Sequence, residues 1–253
     1  MANERQERAA RAEQMRKERE KADRKQRNLI SIAIITVVVA LIAVGGYAVK
    51  KASDENGISD KLVAPKNVNA DYGFEYDAEA AGGTAGTNPV KVILTEDFQC
   101  PACLSFEQQS GAFLNDLVKK GEITIEYRPI SFLDSQSGNE FSSRALNAAL
   151  CVLDKGGIEK YKVMHDLLYA NQPAEGTVGP DDKALIETAK TAGVAGIDSC
   201  VLSQRFGRWI EDAGEQLSED GFEGTPWVRI DGKDVKSPTP AAMQQAIDEA
   251  KKA

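Results

Sequence analysis

The run Thr95-Glu96-Asp97-Phe98-Gln99-Cys100-Pro101-Ala102-Cys103 decides how the rest of the chain is read. An apolar stretch, Val90 to Leu94, precedes it, and a helical pattern follows through Phe106, Phe113, Leu114 and Leu117. A Cys-x-x-Cys pair therefore sits where a strand hands over to a helix. Proline suits the first helical position, because its missing N–H would have no intrahelical partner there. Cys100 then stands among orphan N–H groups at the positive end of the helix dipole, which favour a thiolate. Cys103, about one turn further in, is expected to be covered by neighbouring chain. An exposed, acidified attacking thiol with a sheltered resolving thiol is the arrangement that thiol–disulfide exchange uses. A structural zinc half-site and an inert staple are the other uses of this spacing, and the strand-to-helix setting argues against both.

Two more cysteines, Cys151 and Cys200, are too far apart to form a second such motif. A four-cysteine zinc site would need paired short spacings, which are missing. One catalytic and one structural disulfide accounts for all four cysteines and implies an oxidising compartment. His165, the only histidine in the chain, lies far from the motif in sequence and reads as a half-buried interhelical residue. No metal and no cofactor is expected.

Charge is unevenly spread. Residues 1–28 carry ten Lys/Arg against six Asp/Glu, although the whole chain has a formal charge of −8. The main domain is thus strongly acidic, which argues against nucleic acid as its partner. Residues 29–49 form an uncharged run rich in Ile, Val and Ala. At about 1.5 Å per residue the run spans roughly 30 Å, the thickness of a bilayer's hydrocarbon core. It is longer than a signal-peptide core, follows a long charged leader and precedes no clear cleavage site. Basic residues crowd before it, whereas only Lys50 and Lys51 follow closely. The positive-inside rule then puts the charged tail 1–28 in the cytoplasm, a single transmembrane helix at 29–49, and everything later outside.

Residues 50–70 read as a polar linker. Tyr72–Tyr76 alternates loosely as a first strand, and Val90–Leu94 is apolar enough to be central. A helix over Pro101–Lys119 ends at Lys120-Gly121, a C-cap signal. Glu122–Arg128 alternates with period two, as a strand parallel to the central one. From 131 to 221 the pattern is helical: one face through Phe141, Ala145, Ala148 and Val152, another through Tyr161, Met164 and Leu168. Further helices are expected over Asp181–Ala192 and Val201–Leu217. Trp227–Ile230, the turn Asp231-Gly232 and a strand near Asp234–Lys236 form a hairpin. Thr239-Pro240 opens a last helix.

This order, with Asp97–Cys103, the Gly224-Thr225-Pro226-Trp227 stretch opening a strand and the remote pair Cys151/Cys200, resembles the DsbA-like thiol–disulfide oxidoreductases. The membrane-anchored actinobacterial members are the most similar, over about residues 70–253. The resemblance implies an α/β thioredoxin fold with an inserted all-helical subdomain. Residues 71–130 and 222–253 would form the thioredoxin part and 131–221 the insertion. It implies Cys100 and Cys103 as the catalytic pair, Thr225 and a cis Pro226 as the substrate-binding loop, and a Cys151–Cys200 structural disulfide. Reduced exported polypeptides would be the substrates. A membrane partner, DsbB-like or a vitamin K epoxide reductase homologue, would re-oxidise the enzyme. The expected activity is disulfide donation, with a reductase or isomerase, or a non-enzymatic envelope binding module, as alternatives. Two positions depart from the family pattern. Ala102 stands where the strongest oxidases have histidine, and Leu94 where a buried acid is common. Glu96 or Asp97 is the candidate for the missing proton shuttle.

The topology has a direct consequence. A reporter active only outside the cytoplasm, fused at Ala253, is expected to be active. A cytoplasmic carboxyl terminus, or a cleaved and freely secreted form, would contradict it.

Overall fold

The computed structural model describes residues 62–252. The expected charged tail (1–28), the expected membrane span (29–49) and the linker up to residue 61 lie outside them. No helix among the described residues is long and apolar enough to cross a membrane.

Five strands form one mixed sheet. They are β1 (Phe74–Tyr76), β2 (Val90–Thr95), β3 (Ile123–Tyr127), β4 (Trp227–Ile230) and β5 (Lys233–Asp234), in spatial order β1-β3-β2-β4-β5. The pair β2 and β3 is parallel, with Val92 opposite Ile125, and the other three pairings are antiparallel. The most apolar strand is therefore interior to the sheet, as its composition requires. The last strand begins earlier than Asp234. Asp231 and Gly232 both take positive φ, the two-residue turn that pairs Ile230 directly with Lys233.

Between β2 and β3 run α1 (Pro101–Phe106), a π-helical segment (Glu107–Gly111) and α2 (Ala112–Lys119). The uninterrupted helix expected here is thus broken by a π segment, whose extra residue per turn rotates α2 relative to α1. At the other end the expected glycine cap is present. Gly121 has φ +68°, its N–H donates to the Val118 carbonyl (2.8 Å), and Glu122 N–H donates to Leu117 (3.0 Å). A Cβ at Gly121 would lie 2.2 Å from the Gly86 nitrogen, so a side chain is excluded.

After a short 3-10 turn (Asp134–Gln136), four α-helices stand between β3 and β4: α3 (Phe141–Ala170), α4 (Asp182–Thr191), α5 (Asp198–Leu202) and α6 (Gly207–Glu219). The first two expected helical faces belong to one 30-residue run, α3, broken at Gly157, where φ is +80° and ψ −179°. The single helix expected over Val201–Leu217 is instead two, because residues 203–206 leave helical geometry. Asp181 caps α4, accepting from Ala184 N–H (2.8 Å). Thr239 caps α7 (Pro240–Ala250) with Pro240 in its first turn. The core is continuous from sheet to helices and includes Val92, Ile123, Ile125, Leu146, Leu150, Tyr161, Val201 and Ile247.

Cys151 of α3 and Cys200 of α5 are joined in a disulfide across a sequence separation of 49. In the loop-entropy picture, closing a ring of this size stabilises the fold by about 4 kcal/mol. The Cys151→Ser, Cys200→Ser double variant should therefore melt roughly 10 °C lower, as a calorimetric scan would show, with turnover little changed. A variant that melts like wild type but has lost activity would make this pair a redox relay instead of a staple.

Candidate active site

Strand β2 delivers the chain to the site, and its pairing with the β3 side continues past its end. Arg128 N–H donates to the Leu94 carbonyl and Ile130 N–H to the Glu96 carbonyl, both at 2.9 Å. Glu96 is therefore one strand alternation beyond Leu94, on the same side of the extended backbone. Leu94 fills the core, and the acid absent from its position reappears two residues later.

At Asp97 the chain turns. The buried carboxylate accepts from Gln99 N–H (2.7 Å) and the Ser142 hydroxyl (2.7 Å) through Oδ1, and from Leu133 N–H (2.8 Å) through Oδ2. Cys100 N–H donates to the Asp97 carbonyl at 3.0 Å. This pinned turn places Cys100 at the N-cap of α1 with Pro101 next to it. The segment after α3 closes over it. Gln172 Nε2 donates to the Phe98 carbonyl (3.1 Å) and the Cys100 carbonyl (3.0 Å), while Gln99 Nε2 donates to Ala174 and Thr177 (3.3 Å each). From the far side the Thr225–Pro226 loop arrives with a cis peptide bond, and Cys100 Sγ lies 3.5 Å from the Thr225 carbonyl oxygen.

Cys100 was expected to be exposed, yet only 7% of its surface is accessible; Cys103 has none. The Thr225 loop and the chain after α3 supply that cover. Both thiols are free. The expected asymmetry lies in their electrostatics. The Cys100 pKa falls to about 6, first because the Cys103 thiol donates to its sulfur. Burial opposes this, and the Thr225 side chain with the N–H groups of Cys103 and Ala102 adds to it. The Ala102 backbone thus serves the thiolate although its side chain cannot. Cys103 is pushed strongly upward by burial, by its bond to Cys100 and by the Glu96 charge.

The two candidate shuttles are not equivalent. Burial raises the Asp97 pKa, but three donors occupy its oxygens and oppose the rise. Glu96 is also buried, and burial and the Glu107 carboxylate raise its pKa to about 8 against the pull of His165. His165 is wholly buried, not half-buried, with Nε2 3.3 Å from Glu96 Oε2 and Nδ1 3.1 Å from Asp166 Oδ1. Glu96, Glu107 and His165 bring ligand atoms within 4.8 Å of one another and could hold a metal ion. The sequence separation of 69 residues hid the His165 contact, and nothing local distinguished Gln172; the lone histidine was the only signal available.

A parallel strand–helix–strand unit completed by an antiparallel hairpin, with a dithiol at the helix start facing a cis-proline loop, defines a thioredoxin-type protein. A family model described as thioredoxin matches residues 83–249, and the chain belongs to that family. Its kinship is with the DsbA-like thiol–disulfide oxidoreductases of actinobacterial type. The reduced disulfide bond oxidoreductase DsbG from Mycobacterium tuberculosis is 35% identical, with a TM-score of 0.57 over 76% of this chain and 85% of that one. Oxidised DsbA from the same organism is 34% identical, with a TM-score of 0.60 over 70% and 91%. The MdbA thiol-disulfide oxidoreductase from Corynebacterium diphtheriae is 25% identical, with a TM-score of 0.58 over 74% and 95%. Among curated relatives, the serine/threonine-protein kinase PknE of Mycobacterium tuberculosis is 26% identical over 149 residues. That match covers 55% of this chain and spans only 26% of the kinase's length.

The thiol asymmetry is measurable. Alkylation of the reduced protein should label Cys100 with a half-maximum near pH 6 and leave Cys103 unlabelled over the same range. The folded pKa of Cys100 lies below the unfolded value of about 8.5, so the folded state binds fewer protons between the two. The reduced fold should thus gain stability as pH rises through that window and lose it as pH falls through the folded pKa. Equal alkylation rates would contradict the asymmetry.

Proposed function

We propose that the chain is an extracytoplasmic, membrane-tethered protein thiol oxidase that donates the Cys100–Cys103 disulfide to newly exported polypeptides. The observation that carries this reading is the Cys100 sulfur, held between the start of α1 and the Thr225 carbonyl. A substrate thiolate attacks Cys100 Sγ, the Cys100–Cys103 bond breaks, and Cys103 leaves and takes up a proton. A second substrate thiolate attacks the substrate sulfur of the mixed disulfide and expels Cys100 as a stable thiolate. The substrate is oxidised and the enzyme reduced by two electrons. A disulfide-bearing membrane partner, DsbB-like or a vitamin K epoxide reductase homologue, then restores the Cys100–Cys103 bond.

Three features support the roles. Cys100 is the sulfur with the low pKa, and Cys103 is sealed behind it. Glu96 keeps Oε1 buried and without a hydrogen-bond partner, whereas both Asp97 oxygens are taken up by Gln99, Leu133 and Ser142. We therefore assign the proton exchange with Cys103 to Glu96 and a structural role to Asp97. Beside Pro226, Trp227 packs near Phe222, which meets the half-exposed Phe132 edge-on. This apolar rim suits the extended chain of an unfolded substrate, whose backbone could pair beside Thr225.

The test uses the full chain with a reduced two-cysteine polypeptide, beside an insulin-reduction assay. Wild type should oxidise the polypeptide faster than it reduces insulin. Cys103→Ser should accumulate a mixed disulfide through Cys100, and Cys100→Ser should be inactive and trap nothing. Trapping by Cys100→Ser would reverse the roles, and insulin reduction without oxidation would make the protein a reductase.

A further inference from the structure

Glu96, Glu107 and His165 arrive from three elements: the chain just past β2, the start of the π segment, and the stretch of α3 beyond Gly157. Their ligand atoms lie within 4.8 Å of one another, and Glu96 Oε2 is 3.3 Å from His165 Nε2. Glu96 is 4% exposed and His165 1%, and the other Glu96 oxygen, Oε1, is buried without a hydrogen-bond partner. Glu107 stands on the wall of a cavity of about 820 Å³, together with Asp166 and Tyr169. A Cβ at Gly111 would come within 2.5 Å of Glu107 Oε2, so that glycine leaves the space the carboxylate fills.

We propose that Glu96, Glu107 and His165 form a binding site for one divalent first-row metal ion, zinc above all, reached through this cavity. The ring is prepared for it. Nδ1 lies 3.1 Å from Asp166 Oδ1, and donating there fixes the tautomer that turns a bare Nε2 lone pair towards Glu96. A carboxylate behind the ring is the usual support of a metal-bound histidine. Zinc takes nitrogen and carboxylate ligands at about 2.0–2.2 Å, so two ligands of a tetrahedral ion stand about 3.3–3.6 Å apart. Glu96 and His165 already have that separation, which is long for a hydrogen bond. Glu107 supplies the third ligand from the cavity side and cavity water the fourth, a common zinc set.

Charge points the same way. Glu96, Glu107 and Asp166 bring three carboxylates, and Lys162, paired with Asp166, brings one ammonium. Around a neutral imidazole that leaves two negative charges, which one divalent ion cancels. Without a cation, two carboxylates converge on one largely buried point, which is unfavourable. The rings of Tyr127, Tyr161 and Tyr169 pack around the imidazole and hold its plane. The ligand set contains no thiolate, which separates it from the Cys100–Cys103 pair. Calcium takes about six to eight oxygens and magnesium a near-octahedral oxygen shell, so a three-ligand pocket with a nitrogen disfavours both. The site is independent of the thiol-exchange reading, although an ion on Glu96 excludes the proton exchange assigned to that carboxylate above.

The test uses the full chain with the Cys100–Cys103 disulfide closed, so that no thiolate competes for metal, after treatment with a chelator and dialysis. Titrated with Zn²⁺ against a chromophoric chelator, wild type should take up one ion per chain. Co²⁺ in its place should give the intense visible bands of a four-coordinate site and no thiolate charge-transfer band. His165→Gln and Glu107→Gln should each weaken zinc binding by about a hundredfold or more. Asp166→Asn, which removes only the support behind the ring, should weaken it by about ten- to a hundredfold. Glu107 is half-buried, so its variant serves if His165→Gln does not fold. Glu159→Gln, a carboxylate on the same cavity wall but outside the cluster, should bind zinc as wild type does. No binding by wild type, equal binding by wild type and Glu107→Gln, or an equal loss in Glu159→Gln and Glu107→Gln overturns the site. A weak six-coordinate Co²⁺ spectrum overturns it too, since that marks an adventitious ion only. None of these results bears on disulfide donation, which the polypeptide assay tests separately.

Discussion

A negative sulfur at a buried position is the constraint on which the rest of this structure depends. Cys100 is almost without solvent, and desolvation alone would keep it a thiol. The protein overcomes this with donors, and each needs its own scaffold. The Cys103 thiol and the N–H groups of Ala102 and Cys103 come from the first turn of α1. Thr225, which also lowers the Cys100 pKa, sits on a loop 125 residues away in sequence, held by the antiparallel pairing of β2 with β4. Asp97 sets the geometry between them, because its carboxylate ties the motif's own turn to Leu133 and to Ser142 of α3. The inserted helices are thus part of the site: α3 supplies Ser142 and, past its end, Gln172 closes over the Cys100 carbonyl.

Much of this was legible in the sequence where a local rule was strong. The apolar run Val90–Leu94, the alternation around Ile123–Tyr127, the glycine after Lys120 and the Thr239-Pro240 pair each have a local physical cause, and the elements appear there. Legibility ended where tertiary contacts decide. Nothing between Glu107 and Gly111 announces a π segment, since its polar side chains would fit an α-helix equally well. Residues 203–206 break a helix that periodicity alone would continue. Gly157 adopts a positive φ in α3 next to a second glycine, Gly156, a local weakness that the apolar periodicity on either side passes over.

The candidate site divides in the same way. The cysteines and the Thr-Pro loop are readable because their chemistry demands those residue types at those positions. The two acids were not separable from sequence, because adjacent residues on an extended strand end differ only in which side they face. One side meets Ser142 and the turn, and the other meets His165. The histidine's identity as packing or chemistry could be decided only once its ring was seen between two carboxylates.

The central claim is that reduction leaves Cys100 a thiolate and Cys103 a thiol at neutral pH. The most direct measurement is the equilibrium reduction potential of the Cys100–Cys103 couple against glutathione buffers as a function of pH. Each proton taken up with the two electrons contributes about 30 mV per pH unit. Above the Cys100 pKa of about 6, one proton should be taken up, at Cys103. The account predicts a slope near 30 mV per pH unit through neutrality, doubling only in acid. A doubled slope persisting to about pH 8.5, the ordinary thiol range, would show that Cys100 is protonated when reduced and would contradict it.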